Sequence, residues 1–460
     1  MEAFLLNFLW LGPVGASLLS SRLSLRGLMF LAYSHGLLQL GTWLYLYFKP
    51  LPLLYQVKWF ALSAHTIYYA LGALPENLAL LLLTILVGHA ALLYELRQLR
   101  RPQDFSTLLY LTLGFVQGVF LARDIVLFFV FYEASLIPAF LLIYGWGGSN
   151  RRQAALKFAL FTLSGSVVLL VGLLWALMDR SSLWEAWRAT PLAWGPWVCL
   201  TLGLAVKLPL IPLHSWLGEA HVEATSAGSM VLAGLLLKLG GYGLLNWVWW
   251  RPEVGDTFLR LWGSIGLLIA TGIAAAQIDL KRLIAYTSIA HMALVAIGAG
   301  SPSALARQGA YHQLFAHGLV SAGLFAWAGW LEKAAQTRTL PKLQGLLTLQ
   351  PSWHLAGIAL TFAAIGIPGS ALFISEFLIV WGVGAGAGWG WAICPALSFL
   401  LTAAYFLRVY RLLALSPAKA LLKPLGTTLP EKITWFLIAL SVASGLYPTP
   451  WLKLLAHVGP

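Results

Sequence analysis

The sequence predicts an all-α polytopic membrane protein. The expected architecture is a helix bundle of about 14 transmembrane helices, with two inverted five-helix repeats and two discontinuous helices. Three observations predict it. Of 460 residues, 60% are hydrophobic and only 10% charged, with mean hydropathy +0.80; soluble domains carry about 25% charged residues. The apolar runs are long and continuous, each near the ~20 residues a helical span needs, and lack the alternation of a membrane barrel. Finally, two runs are interrupted by proline and glycine, five spans apart.

Taken in order, the spans fall at about 3–20, 27–48, 76–95, 106–122, 124–146, 154–178, 193–217, 225–250, 257–277, 283–300, 309–331, 355–381, 390–411 and 433–449. The N-terminal MEAFLLNFLWLGP has no Arg-rich presequence and reads as the start of the first span. The stretch 49–75 is amphipathic and reads as an extramembrane loop. The seventh span contains LAVKLPLIPLHSW, with Pro209 and Pro212 just after Lys207. The twelfth contains AAIGIPGSALFISEF, with Gly366, Pro368 and Gly369 just before Glu376. Proline removes a backbone donor and clashes with the preceding turn. In lipid the freed carbonyls need partners, so such breaks persist where protein or water satisfies them. Paired interruptions in two halves of a chain point to an inverted-repeat transporter. The chain 1–460 is expected to be one domain, with repeat one at about 106–250 and repeat two at about 257–411. No soluble domain or long linker is visible.

Net charge is +13. Most of the 29 basic residues lie in loops after odd-numbered spans, among them Arg97, Arg100, Arg101, Arg151, Arg152, Lys281, Arg282, Lys333, Arg338, Lys419 and Lys423. Loops after even-numbered spans hold fewer, such as Lys49, Arg123, Arg188 and Arg251. The positive-inside rule then places the odd loops on the cytoplasm-like side and both termini opposite. The basic residues set topology and meet lipid headgroups, and no basic stripe interleaved with aromatics suggests nucleic acid. Cys199 and Cys394 lie far apart without a CxxC pair, which argues against zinc or iron–sulfur binding. No GxSxG, Walker loop or strand-flanked GxGxxG supports covalent chemistry.

The chemistry is expected from ionisable residues placed where charge is costly. Lys207, Lys238, Glu133 and Glu376 each sit inside an apolar segment. A charge near the bilayer centre costs at least ~2.5–3.5 kcal/mol and usually marks an ion or proton path. Burial drives a lysine towards the neutral amine, and an approaching carboxylate reverses that. Glu133 and Lys207 together therefore form a candidate switch. Lys238, among Gly228, Ser229, Gly234, Gly240 and Gly241, has small neighbours that permit close helix approach. His291 and His317 carry imidazoles suited to proton relay. His214, Glu219, His221 and Glu223 cluster in PLHSWLGEAHVEA. They read as a hydrated edge of the path or a loop network, because zinc spacing of the HExxH type is lacking.

Several segments then suggest a family. FYEASLIPAFLLIYGWG, KLPLIPLHSWLGEAHVEATSAGSMVLAGLLLKLGGYG, DLKRLIAYTSIAHMALV, AHGLVSAGLF and LTAAYFLRVYR resemble the antiporter-like, proton-pumping subunits of respiratory complex I, in their subunit-4 branch. The resemblance runs from about residue 110 to 412, and weakly before. Gly218 and Thr225 stand where the family pattern has prolines.

The resemblance implies a membrane-arm subunit of a proton-translocating NADH:ubiquinone reductase, without redox chemistry in this chain. Glu133 and Lys207 would be the coupled acid–base pair, and Lys238 the central lysine. His291 and His317 would lie on a hydrated axis, with Glu376 as the terminal acid. His214, His221, Glu223 and Lys281 are accessory candidates. No cofactor or metal is expected here; NADH, FMN, iron–sulfur clusters and ubiquinone would sit in partner subunits. Expected partners are other membrane-arm subunits, including neighbouring antiporter-like ones, and lipids such as cardiolipin. The expected location is the mitochondrial inner membrane. The rivals are a cation/proton antiporter or hydrogenase subunit, a membrane glycosyltransferase and a structural anchor.

Overall fold

The computed structural model describes residues 1–62, 65–248, 254–417 and 428–457. The loop charges Arg251, Lys419 and Lys423 and the last two residues of the expected eighth span lie outside the described residues. Among those described, eleven helices are long and apolar enough to cross a membrane. The other expected spans are Leu25–Tyr47, whose 23 residues include the buried polar His35, Gln39 and Thr42, and the two interrupted ones. The chain is a helix bundle, as composition predicts.

Burial follows position in the bundle. Ser226–Val248 is wholly enclosed, as is the central part of Ala304–Ala335, and Pro75–Gln98 and Leu280–Ala299 nearly so. Peripheral helices turn apolar side chains outwards: Phe4, Leu18, Phe30 and Leu37 are exposed. In water that would be a liability; against lipid tails or a neighbouring apolar subunit it is the stable arrangement.

Helix starts are set by side-chain caps that satisfy orphan amides. Asp124 accepts from Val126 N and Leu127 N, and Asp279 from Arg282 N. Thr225 accepts from Gly228 N, so the residue replacing the family's proline is itself a cap. Gly218 has room around it: a Cβ there would meet nothing closer than Tyr286 at 3.7 Å.

Both expected breaks are present. The seventh span ends as a helix at Lys207 (Trp194–Lys207) and resumes at Ser215–Glu223. It does not run through to residue 217, so Lys207 is a helix C-terminus and not a mid-helix residue. The twelfth divides into Pro351–Ile365 and Ala371–Ala387, around Gly366 at φ 76° and Gly369 at φ 99°. A further break comes at Ser135, between Ile125–Ala134 and Leu136–Trp146. The eighth span alternates α-turns with wider π-turns at Leu232–Leu236 and Leu244–Val248.

The stretch expected as a loop is a β-hairpin. Leu53–Leu62 pairs antiparallel with His65–Ala73, with a register shift between Lys58 and Phe60. The amphipathic reading was right about position. The first strand is largely exposed from Gln56 to Ala61, while the second is buried at Ile67 and from Ala70 to Ala73.

Candidate functional site

Helix geometry assembles the buried charges into two groups. In the first, Lys207 ends its helix, where the negative end of the dipole favours a cation. Its Nζ donates to the Tyr132 carbonyl at 3.0 Å and to Ser135 Oγ at 3.3 Å, and lies 3.5 Å from the centre of the Tyr132 ring. Gly240 makes this crossing possible: a Cβ there would meet Leu208 N at 2.5 Å and Leu204 O at 2.8 Å. Glu133 sits between Tyr132 and Ser135 in sequence and accepts a hydrogen bond from Ser166 Oγ. It is half-buried and makes no ion pair with Lys207 among the described contacts, although it is the charge that acts on that lysine. The acid and base are thus adjacent but held by different partners.

The second group is a line through the most enclosed helices. Lys238 is wholly buried. Its Nζ donates to the Ala233 carbonyl at 2.5 Å and lies 2.6 Å from His317 Nδ1. Ala233 belongs to the first π-turn, where the widened helix presents a carbonyl to the side chain below it. His317 faces His291, with ring centres 5.3 Å apart. His291 Nε2 lies 3.5 Å from Glu376 Oε1. The twelfth-span break positions that carboxyl, since a Cβ on Gly366 would collide with Glu376 Oε2. Four ionisable side chains from four helices therefore stand in sequence, Lys238–His317–His291–Glu376, all buried.

The accessory candidates gather on the basic face. His221 is fully buried, stacked on Phe325 at 4.4 Å, and within electrostatic reach of both Lys281 and Lys238. Lys281 donates to Ala224 O at 3.2 Å and pairs with Glu332 at 2.7 Å. Glu223 accepts from Asn150 N at 2.9 Å and faces Arg338 at 3.8 Å. His214 precedes helix Ser215–Glu223 and packs against Tyr286, and Glu219 pairs with Lys157 at 2.6 Å. These residues form a tie between loops more than one cluster, and no three metal-binding side chains converge among the described residues. Arg338 is their hub, 2.5 Å from Asp279 and 3.4 Å from Glu332. Burial opposes its charge, but Asp279, with Glu332 and Glu223 beyond, outweighs that and holds its pKa above the ordinary guanidinium value.

Sequence reasoning missed Ser135, Tyr132 and Ser166, which receive the first pair, and Gln313, which Ser375 contacts at 2.5 Å beside Glu376. Polar residues inside apolar spans were the available signal. It also missed Glu95, a buried acid that accepts from Ala227 N at 3.1 Å and Lys333 Nζ at 2.6 Å.

Comparison with known proteins adds the family. A family profile described as NADH:quinone oxidoreductase/Mrp antiporter, transmembrane, matches residues 122–402. NADH-quinone oxidoreductase subunit M of Escherichia coli is 35% identical over 427 residues, covering 86% of this chain and 82% of that one. NADH-ubiquinone oxidoreductase chain 4 of Chondrus crispus is 31% identical over 401 residues, covering 84% and 81%. A chain in the structure of respiratory complex I from Thermus thermophilus with bound NADH superposes with TM-score 0.89 at 27% identity, covering 98% of each. A chain of the Mrp complex from Dietzia superposes at 0.84 with 18% identity, a likeness of fold.

Proposed function

The chain belongs to the NADH:quinone oxidoreductase/Mrp antiporter transmembrane family, and on that premise we propose that it is an antiporter-like subunit in the membrane arm of a proton-translocating NADH:quinone oxidoreductase. The observation that carries the reading is the enclosed line Lys238–His317–His291–Glu376, with Glu133 and Lys207 beside it. Such a line has no structural need. Buried charge is expensive unless paired, and a lysine 2.6 Å from an imidazole is a base beside a base.

Protons would load at the Glu133–Lys207 pair, pass to Lys238 and the two histidines, and leave by way of Glu376. Moving one proton against 100 mV costs about 2.3 kcal/mol, and one pKa unit is worth about 1.36 kcal/mol. Alternating the Glu133–Lys207 contact therefore supplies enough free energy to change the protonation of a lysine. The two breaks and two sets of five helices support an inverted-repeat arrangement at about 106–250 and 257–411. His221, within electrostatic reach of both Lys281 and Lys238, would link the basic face to the line and serve the loading side with Lys281, while His214 and Glu223 would hold the loop.

Redox groups would lie in partner subunits, so this chain would bind neither nicotinamide, flavin, iron–sulfur cluster nor quinone. Neighbouring membrane-arm subunits and anionic lipid such as cardiolipin would cover the exposed apolar helices. The finer placement, the mitochondrial inner membrane, is supported by the HVEA and LLKLGGYG segments and the Chondrus relative. Relatives such as those of Escherichia coli and Rhodobacter capsulatus support a bacterial membrane equally.

The test is to capture this chain from its native membranes and assay NADH:quinone reductase activity and proton pumping, then repeat with Lys207→Met. The proposal expects inhibitor-sensitive activity with the wild type and a tenfold or greater loss of pumping in the variant. An assembled variant that pumps normally overturns it. Sodium-dependent activity without NADH oxidation would favour the antiporter reading that the Mrp likeness suggests.

A further inference from the structure

A second set of buried polar groups lies outside the line already described. It sits among the helices Glu2–Ser20, Leu25–Tyr47, Pro75–Glu95 and Pro102–Leu121, which precede most of the matched family region. At its centre His35 Nδ1 lies 2.9 Å from His89 Nε2. His89 Nδ1 lies 2.7 Å from the Ile85 carbonyl. Both rings are buried, and Tyr110 packs edge-on to them at 5.3 and 6.1 Å.

The tautomers follow from the partners. A carbonyl only accepts, so His89 carries its proton on Nδ1 and offers a bare Nε2. His35 must then donate from Nδ1, which leaves His35 Nε2 as the basic atom of the pair. That atom is buried against Gly12, where a Cβ would stand 3.3 Å from it and 2.8 Å from Gln39 Nε2, and the Gly12 carbonyl is placed to accept a hydrogen bond from a proton added there.

The polar groups continue above and below. One helical turn along, roughly 6 Å at 1.5 Å per residue, Gln39 donates to Phe8 O and Leu9 O and receives Gln117 Nε2 at 3.1 Å. Beyond it Trp10, Tyr69 and Asn7 form a hydrogen-bonded chain reaching the hairpin. In the other direction Ser20 and Thr107 meet at 2.8 Å at the opposite ends of their helices. Tyr110 OH and Gln117 Oε1 are buried with no protein partner. A buried hydroxyl and amide left open in an apolar bundle are unfavourable, unless water completes them.

We propose that His35 and His89 form a proton-binding site on a second transverse polar path, through the N-terminal helices. One proton adds to His35 Nε2. The pair then holds an imidazolium whose Nδ1–H points at the neighbouring ring, and no other bond changes. Water at Tyr110 and Gln117 carries the proton between turns. The helix Pro75–Glu95 separates this path from Lys238, because Leu83 and Val87 turn to Gly318 and Gly234 while His89 turns to Gly36.

The test uses the intact assembled complex in proteoliposomes. His35→Asn with His89→Gln places an amide donor and acceptor where the Nδ1 and Nε2 atoms stood, keeping the helix contact while removing the titratable rings. The proposal expects NADH oxidation to persist and protons moved per NADH to fall at least twofold. Full pumping in this double variant overturns it. The apolar pair His35→Leu with His89→Leu is the second measurement. If it fails to assemble while the amide pair assembles and pumps fully, the rings serve helix packing alone. If neither pair assembles, the rings are likewise structural and the proposal falls. Lys207→Met in parallel separates the outcomes: wild-type pumping there removes the main line, not this one.

Discussion

Lys238 differs from an ordinary buried cation in what surrounds it. Its partners are a carbonyl and an imidazole, not a carboxylate. That environment suits a group that gives up its proton, and the chemistry should need a deprotonatable amine. Lys238→Arg therefore restores the charge but not the function, since guanidinium stays protonated. Its pumping should be as low as that of Lys238→Met, measured as acidification per NADH in proteoliposomes. A charge-only role predicts recovery in the arginine variant. Asp124 is a residue of the opposite kind, buried but structural. It caps its helix and also accepts from Tyr68 N at 2.9 Å and Ser182 Oγ at 2.5 Å. Asp124→Ala should lower stability by about 1–2 kcal/mol, read as a lower thermal midpoint of the purified complex with pumping per NADH unchanged.

At the scale of elements, the breaks do the positioning. Lys207 reaches its carbonyl and hydroxyl partners because one helix stops beneath it and another is interrupted at Ser135. Glu376 lies in the space that a left-handed glycine leaves open. Gly366→Ala strains the backbone by about 1–2 kcal/mol and pushes a methyl into the carboxyl. The expected outcome is a pumping loss comparable to that of Glu376→Gln, with electron transfer less affected; an alanine variant that pumps normally would show that the carboxyl can move freely. Proline-containing breaks were legible in the sequence because proline cannot continue a helix. The break at Ser135 carried the same signal, since Pro138 lacks the N–H that would bond the Ala134 carbonyl one turn back, although sequence reasoning did not use it. The π-turns at Leu232–Leu236 and Leu244–Val248 were not legible.

Across the whole molecule, the basic face is tied together by Arg338 and Lys281. They link the cap of helix Leu280–Ala299, the Glu223 loop and the end of helix Ala304–Ala335. The clasp joins the end of helix Ser215–Glu223 to two helices that follow it in the chain. Arg338 is about a third exposed, and each ion pair is accordingly worth little. Arg338→Ala should cost about 1–2 kcal/mol in sum and depress the thermal midpoint more at low salt than at high salt, where screening has already weakened the pairs. Equal depression at both salt levels would assign the effect to packing.

Composition and the length of the apolar runs determined the fold class, because only continuous hydrophobicity satisfies a bilayer and only a helix satisfies its own backbone there. The anomaly of charge in such runs determined which residues to suspect: Glu133, Lys207, Lys238 and Glu376 stand out from the sequence alone. Tertiary structure decided their company. His291 and Glu376 are 85 residues apart and meet at 3.5 Å, while Glu133 and Lys207 are neighbours without an ion pair. The hairpin, the Arg338 clasp and the His35–His89 pair were equally invisible. Each depends on which helix faces pack together, and in a bundle where nearly every face is apolar the sequence pattern carries little information about which face meets which.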